Sequence, residues 1–214
     1  MGNWKIKICG NRFMEDSYAA ALNRPDYMGW IFSPHSPRRI PMDRARLLIG
    51  EIRRSVPEIR HVGVFAGNTV GEILRIQREV PGLDYFQITD GPGFIESLRS
   101  RLGKKLGARV IPAIRVKKPL KDLDLICYGP APFFILDAYQ AGRPGGTGKR
   151  LDASLIRGIT RPYLLAGGLN PENVLEALRE TGNARGADAA SGLEISPGRK
   201  DLEKLTQFVR SLRA

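Results

Sequence analysis

The sequence predicts a (β/α)8 barrel that takes up residues 1–214 as a single domain. Three observations carry the prediction. Short apolar runs alternate with stretches of helix formers, and eight such pairs fit the chain at roughly even spacing. The runs are mostly apolar at consecutive positions, as in parallel strands covered on both faces. No G-x-G-x-x-G follows the first run, which argues against an open doubly wound sheet, the nearest alternative. At 214 residues the chain is compact for a fold that typically takes about 250.

Lys5 to Ile8 alternates polar and apolar residues, and Cys9-Gly10 ends it, so Cys9 sits at a strand tip. Glu15–Leu22 is rich in helix formers, and Asn23–Asp26 breaks it. Tyr27–Phe32 is the second strand; Ser33-Pro-His-Ser-Pro-Arg-Arg39 is a loop, because its two prolines stop regular structure. Asp43–Ser55 carries Ala45, Leu48, Ile49 and Ile52 at helical spacing. Strand His61–Ala66 precedes helix Val70–Val80, and strand Leu83–Ile88 precedes helix Phe94–Leu106. Arg109–Arg115 is the fifth strand, succeeded by a short, weak helix over Leu120–Tyr128. Phe133–Leu136 is the sixth strand and ends at Asp137; a glycine-rich loop, Ala141–Lys149, and a helix near Ala153–Ile159 come next. Tyr163–Ala166 is the seventh strand, with Asn170 as N-cap and Pro171 in the first turn of a helix reaching Glu180. Gly186–Ala190 is the eighth strand, and Leu202–Leu212 the last helix.

Composition narrows the function classes. Hydrophobic residues make up 42% and charged residues 26%, so the sequence reads as globular rather than disordered. No apolar run approaches the roughly 18 residues of a membrane span, and Lys5 and Lys7 interrupt any signal-peptide pattern. Cys9 and Cys127 form no disulfide framework, which fits a reducing, cytoplasmic setting, with Cys127 read as structural. The net charge of +12 is spread through helical stretches, without the aromatic-plus-basic signature of RNA binding. The expected partner is therefore a phosphorylated small molecule, with no membrane or nucleic acid, for a monomer or homodimer.

In a barrel the strand tips meet on one face, which here collects Cys9, the Arg38/Arg39 loop, Asp137, Gly167-Gly168 and Ser191-Gly192. A thiolate base and a carboxylic acid, Cys9 and Asp137, can act as a pair across a bound sugar. One of Arg38 and Arg39 is suited to hold a substrate carboxylate by a bidentate fork. Paired small residues after strands seven and eight suit a phosphate. Gly142–Arg150 is not a P-loop: its spacing is one residue too long, and Arg150 stands where Ser or Thr is required. It reads as a loop closing over the site.

Taken together, these stretches resemble the phosphoribosylanthranilate isomerase family of tryptophan biosynthesis. The resemblance rests on Lys7-Ile-Cys-Gly10, Gly29 through Ile40, Val62-Gly-Val-Phe65, Leu136-Asp137, Gly145–Lys149, Ala166–Val174 and Asp188–Glu194, in family order over nearly the whole chain. It implies an Amadori rearrangement of N-(5-phosphoribosyl)anthranilate with no cofactor and no metal. By position Cys9 is the base and Asp137 the acid. Arg38 matches the arginine on the anthranilate moiety, Asp188 joins it among the substrate-binding residues, and Gly167, Gly168, Ser191 and Gly192 match the phosphate site. The family's Gln-Leu-His-Gly after strand four is here Gln87-Ile-Thr-Asp-Gly91; Ala190 replaces a frequent serine and Ala153 a common tryptophan. The alternatives are another sugar-phosphate isomerase, epimerase or synthase barrel, or a non-catalytic barrel binding phosphate ligands or nucleic acid. With only His35 and His61, a multi-histidine metal site is not expected.

Overall fold

The structure, a computed structural model, describes residues 4–138 and 151–214. Eight parallel strands close in chain order: β1 Lys5–Ile8, β2 Tyr27–Ile31, β3 Arg60–Phe65, β4 Tyr85–Ile88, β5 Val110–Val116, β6 Phe134–Ala138, β7 Tyr163–Ala166 and β8 Gly186–Ala189. Closure comes from β8 pairing with β1, Lys5 opposite Gly186 through Ile8 opposite Ala189, and among the described residues it leaves the barrel without an open edge. Gly186 is required there, because a Cβ would fall 1.8 Å from the Lys5 carbonyl oxygen.

The strands divide their side chains between two cores by period-two alternation. Cys9, Val62, Val64, Ile111, Ala113, Ile135, Leu164 and Ala166 pack together inside the barrel. Tyr27, Tyr85 and Phe133 pack as an edge-to-face and tilted aromatic cluster at its N-terminal end. The opposite parity, with Ile6, Ile8, Met28, Trp30, Phe86 and Leu136, faces the helical shell.

That shell comprises α1 Met14–Leu22, α2 Met42–Ser55, α3 Val70–Glu79, α4 Pro92–Gly107, α5 Val174–Thr181 and α6 Leu202–Arg213. On α2, Ala45, Leu48, Ile49 and Ile52 form the buried face. Thr69 caps α3 with a reciprocal Glu72 box. Gly103, at φ +73°, kinks α4 within the segment expected to be one helix. Two expected helices are single 3-10 segments, Asp122–Tyr128 after β5 and Ala153–Ile156 before β7.

Asn170 does not cap α5 directly. Its Oδ1 accepts from the N–H groups of Glu172 and Asn173, closing a turn, and the helix begins at Val174. After β8 the sequence reading missed a hairpin, β9 Glu194–Ser196 with β10 Arg199–Lys200, which precedes α6. The expected glycine-rich loop, Ala141–Lys149, lies outside the described residues.

Candidate active site

Cys9 comes directly after the last residue of β1, where the backbone is pinned from both sides. Its N–H donates to the Ala189 carbonyl at 2.8 Å, and Gly10 and Asn11 both donate to the Gly29 carbonyl at 3.1 Å. The buried Asn11 amide adds bonds to the carbonyls of Ile8 and Gly29. The thiol points into the barrel and is almost fully buried, at 6% exposure. Gly29 on the neighbouring strand makes the room, since a Cβ would lie 2.6 Å from Cys9 Sγ and 3.1 Å from Lys7 Nζ.

Two residues below Cys9 on the same face, Lys7 is fully buried and donates to both carboxylate oxygens of Asp188, at 2.8 and 2.9 Å. The pair arises from register, because Lys7 and Asp188 are direct partners across β1 and β8. Burial disfavours the Lys7 ammonium, but Asp188 and Cys9 more than offset it and raise its pKa. An unpaired ammonium there would be costly, so Asp188 is what keeps a cation beside the thiol. Burial also pushes the Cys9 thiol up; Lys7 opposes that, Asp188 adds to it, and Lys200 opposes it. The resting thiol is therefore neutral, with two cations poised to stabilise the thiolate.

Asp137 stands near the end of β6, opposite Arg115 in the β5 register. Burial, and then the Asp188 charge, raise its pKa from an ordinary 3.8 to about 6, although Arg115 and Lys7 pull the other way. Gly167, at φ +94°, lets the turn after β7 pass against this carboxylate: a Cβ would be 2.8 Å from Asp137 Oδ1. Gly168 is also left-handed, at φ +63°. The next turn, Ser191-Gly192, lies directly beside it, where a Cβ on Gly192 would fall 2.0 Å from the Leu169 carbonyl oxygen. The structure thus brings together the four small residues proposed for phosphate.

Arg38 and Arg39 diverge. Arg38 turns toward the start of β9, with Nε 3.1 and 2.9 Å from the two Glu194 carboxylate oxygens and Nη2 2.8 Å from one of them. Arg39 instead lines a cavity of about 610 Å³ between α2 and α3, together with Arg46, Asn68 and Glu72. That cavity contains neither Cys9 nor Asp137. It is set apart from the strand-end chemistry, which is carried by the convergence of side chains within the barrel mouth.

Sequence reasoning missed Glu194 as a site residue and missed Lys200 altogether. Lys200 is buried and donates from Nζ to the Cys9 carbonyl at 2.6 Å and to Glu194 Oε1 at 3.1 Å. The available signal was the turn Ser196-Pro-Gly198 between Glu194-Ile195 and Arg199-Lys200, which marks a hairpin. Cys127 is exposed, on the 3-10 segment after β5, so it has no packing role of the kind expected from the sequence. Where the family histidine is replaced, Thr89 binds the Phe65 carbonyl through its N–H at 3.1 Å and its hydroxyl at 3.3 Å. Asp90 Oδ2 is buried without a hydrogen-bond partner among the described residues. Also among the described residues, no group of three or more His, Cys, Asp or Glu side chains is arranged to hold a metal, and no helix is long and apolar enough to cross a membrane.

Known proteins resemble the chain over nearly its whole length. The family model described as N-(5'phosphoribosyl)anthranilate (PRA) isomerase matches residues 6–211. An N-(5'-phosphoribosyl)anthranilate isomerase of Rubrobacter xylanophilus is 38% identical over 213 residues, covering 98% of this chain and 99% of that one. Among solved structures, the phosphoribosyl anthranilate isomerase of Thermotoga maritima superposes with a TM-score of 0.81 at 29% identity, covering 98% of each chain. A phosphoribosyl anthranilate isomerase in complex with reduced 1-(o-carboxyphenylamino)-1-deoxyribulose 5-phosphate gives 0.76 at 28% identity, again over 98% of each chain. With the family model matched over residues 6–211 and a relative 38% identical over 98% of its length, the chain belongs to the N-(5'-phosphoribosyl)anthranilate isomerase family.

Proposed function

We propose that the chain catalyses the Amadori rearrangement of N-(5-phosphoribosyl)anthranilate to 1-(2-carboxyphenylamino)-1-deoxyribulose 5-phosphate, a step of tryptophan biosynthesis. The phosphate lies against Gly167, Gly168, Ser191 and Gly192, and Arg38 takes the anthranilate carboxylate. Asp137 is the general acid: it gives its proton to the furanose ring oxygen, the C1–O bond breaks, and the nitrogen lone pair forms the C1=N bond of a Schiff base. Cys9, as thiolate, then removes the C2 proton, and the electron pair moves into C1=C2 as the iminium is neutralised. The resulting enolamine picks up a proton at C1 and loses the one on its C2 hydroxyl to give the ketone. Atoms and electrons balance without a redox partner. Asp188 serves by keeping Lys7 charged beside the thiol, so it assists the reaction from below the substrate.

The observation that carries this reading is the raised pKa of Asp137, about 6, at a strand end that shares the Lys7–Asp188 pair with the thiol. A carboxyl held partly protonated near neutral pH and a thiol with adjacent cations, both within reach of the Lys7–Asp188 pair, are an acid and a base kept separate by environment. The test is the loss of substrate fluorescence when the purified chain meets freshly made N-(5-phosphoribosyl)anthranilate. Turnover with appearance of the ketose supports the reading; no turnover by folded protein contradicts it.

A further inference from the structure

The hairpin β9–β10 puts two charged side chains, Glu194 and Lys200, in the barrel rim with less solvent contact than the Arg38 that Glu194 holds. Side-chain exposure runs from 14% at Arg38 to 3% at Glu194 and 0% at Lys200. Glu194 therefore stands between two cations and leaves the trio with a net positive charge whose open end is Arg38. The geometry at Arg38 is directional. Its Nε and Nη2 are both engaged by Glu194, which leaves the Nη1/Nη2 edge of the guanidinium available for a second planar anion. Lys200 meanwhile ties Glu194 to the carbonyl of Cys9, and its own N–H is held by the buried Asp16 at 2.9 Å.

We propose that Glu194 and Lys200 are positioning residues: Glu194 fixes which edge of Arg38 faces the substrate carboxylate, and Lys200 locks that assembly to the backbone of Cys9. Substrate selection and the base are thereby linked through one buried chain of bonds, Arg38 to Glu194 to Lys200 to the Cys9 carbonyl. Without Glu194, Arg38 keeps its charge but loses its orientation, so it attracts anions without favouring a planar carboxylate at one place. This inference rests on Arg38 being the carboxylate ligand in the reaction proposed above.

The test compares two inhibitors: reduced 1-(o-carboxyphenylamino)-1-deoxyribulose 5-phosphate and the same molecule without the ring carboxyl. Glu194→Gln is expected to weaken the carboxylated inhibitor by about tenfold and leave the decarboxylated one within about twofold, the size of one charge-assisted contact. In an Arg38→Ala background Glu194→Gln should change neither affinity further. Lys200→Met should lower kcat by about tenfold as well as eroding the discrimination, because the Cys9 carbonyl loses its partner. A merely structural role predicts that both inhibitors weaken together, and that result overturns the proposal, as does unchanged discrimination in Glu194→Gln. If Arg38→Ala itself fails to separate the two inhibitors, the assignment of Arg38 falls first, and the positioning proposal falls with it. Should Glu194→Gln not fold, Glu194→Asp keeps the charge and withdraws it by one methylene, and the same loss of discrimination is expected. The Glu194→Gln/Lys200→Met pair, which removes both buried charges together, must show it too.

Discussion

Asp137 and Cys9 have environments that push both pKa values upward, with consequences for the pH profile. Asp137 titrates near 6 and Cys9 above its ordinary range, so protonated acid with ionised base is the minor form of the pair. Below about 6 that form increases with pH as the thiolate does; above 6, loss of the Asp137 proton cancels further gain. kcat/KM is therefore expected to rise with pH to a break near 6 and then level. Asp137→Asn should abolish that break and lower kcat by roughly 10²–10⁴ while KM stays close to normal. A break that persists in the variant would remove Asp137 from the chemistry. Arg38→Ala should raise KM by about ten- to a hundredfold, more than it lowers kcat, whereas Arg39→Ala, on the α2–α3 cavity, should do much less. The opposite order of effects would contradict the assignment. Cys9 and Asp137 were legible in the sequence because a titratable residue directly after an apolar run needs no tertiary information to be placed at a strand tip. Lys200 was not: 191 residues separate it from the carbonyl it binds, and nothing local marks it as buried.

The strands were legible because eight apolar runs with breakers between them leave little freedom in register or order. Helix starts were less so. At α5 the cues Asn170 and Pro171 are real, but they serve a turn, since Asn170 spends its Oδ1 on Glu172 and Asn173 before any helix begins. Weak segments after β5 and before β7 settled as 3-10 turns; in Asp122–Tyr128 only Leu125 is buried while Leu123 and Ile126 are exposed, so the apolar residues there do not form one face that docks a longer helix. On β2 the position that matters is Gly29, whose missing Cβ is the space occupied by the thiol and the ammonium of β1. Gly29→Ala is expected to destabilise the fold by about 1–3 kcal/mol, as overpacking does, and to lower kcat at least tenfold by moving Cys9, roughly what an ångström of misplacement costs. Chemical denaturation and the isomerase assay on the same preparation check both. Normal activity in Gly29→Ala would show that the thiol need not occupy its observed place.

Closure of the barrel forces charges from distant parts of the chain into one interior, and stability must then depend on pH. Asp137 has a folded pKa of about 6 against an ordinary 3.8, so the folded state holds its proton more tightly than the unfolded chain. The contribution is full below about 4 and is lost as pH rises through 6. Asp137→Asn should therefore melt higher than the parent at pH 8 and similarly at pH 4, a difference that thermal unfolding at the two pH values would reveal. Equal melting shifts at both would contradict the raised pKa. The +12 net charge sets up a positive field that attracts anions. The whole arrangement converges on Cys9, and the deciding measurement is kcat of Cys9→Ala in the fluorescence assay, on protein whose unfolding midpoint shows it folded. A drop of at least roughly 10²-fold is predicted, since no other described group replaces a positioned base; turnover within about threefold of the parent would contradict the base–acid mechanism.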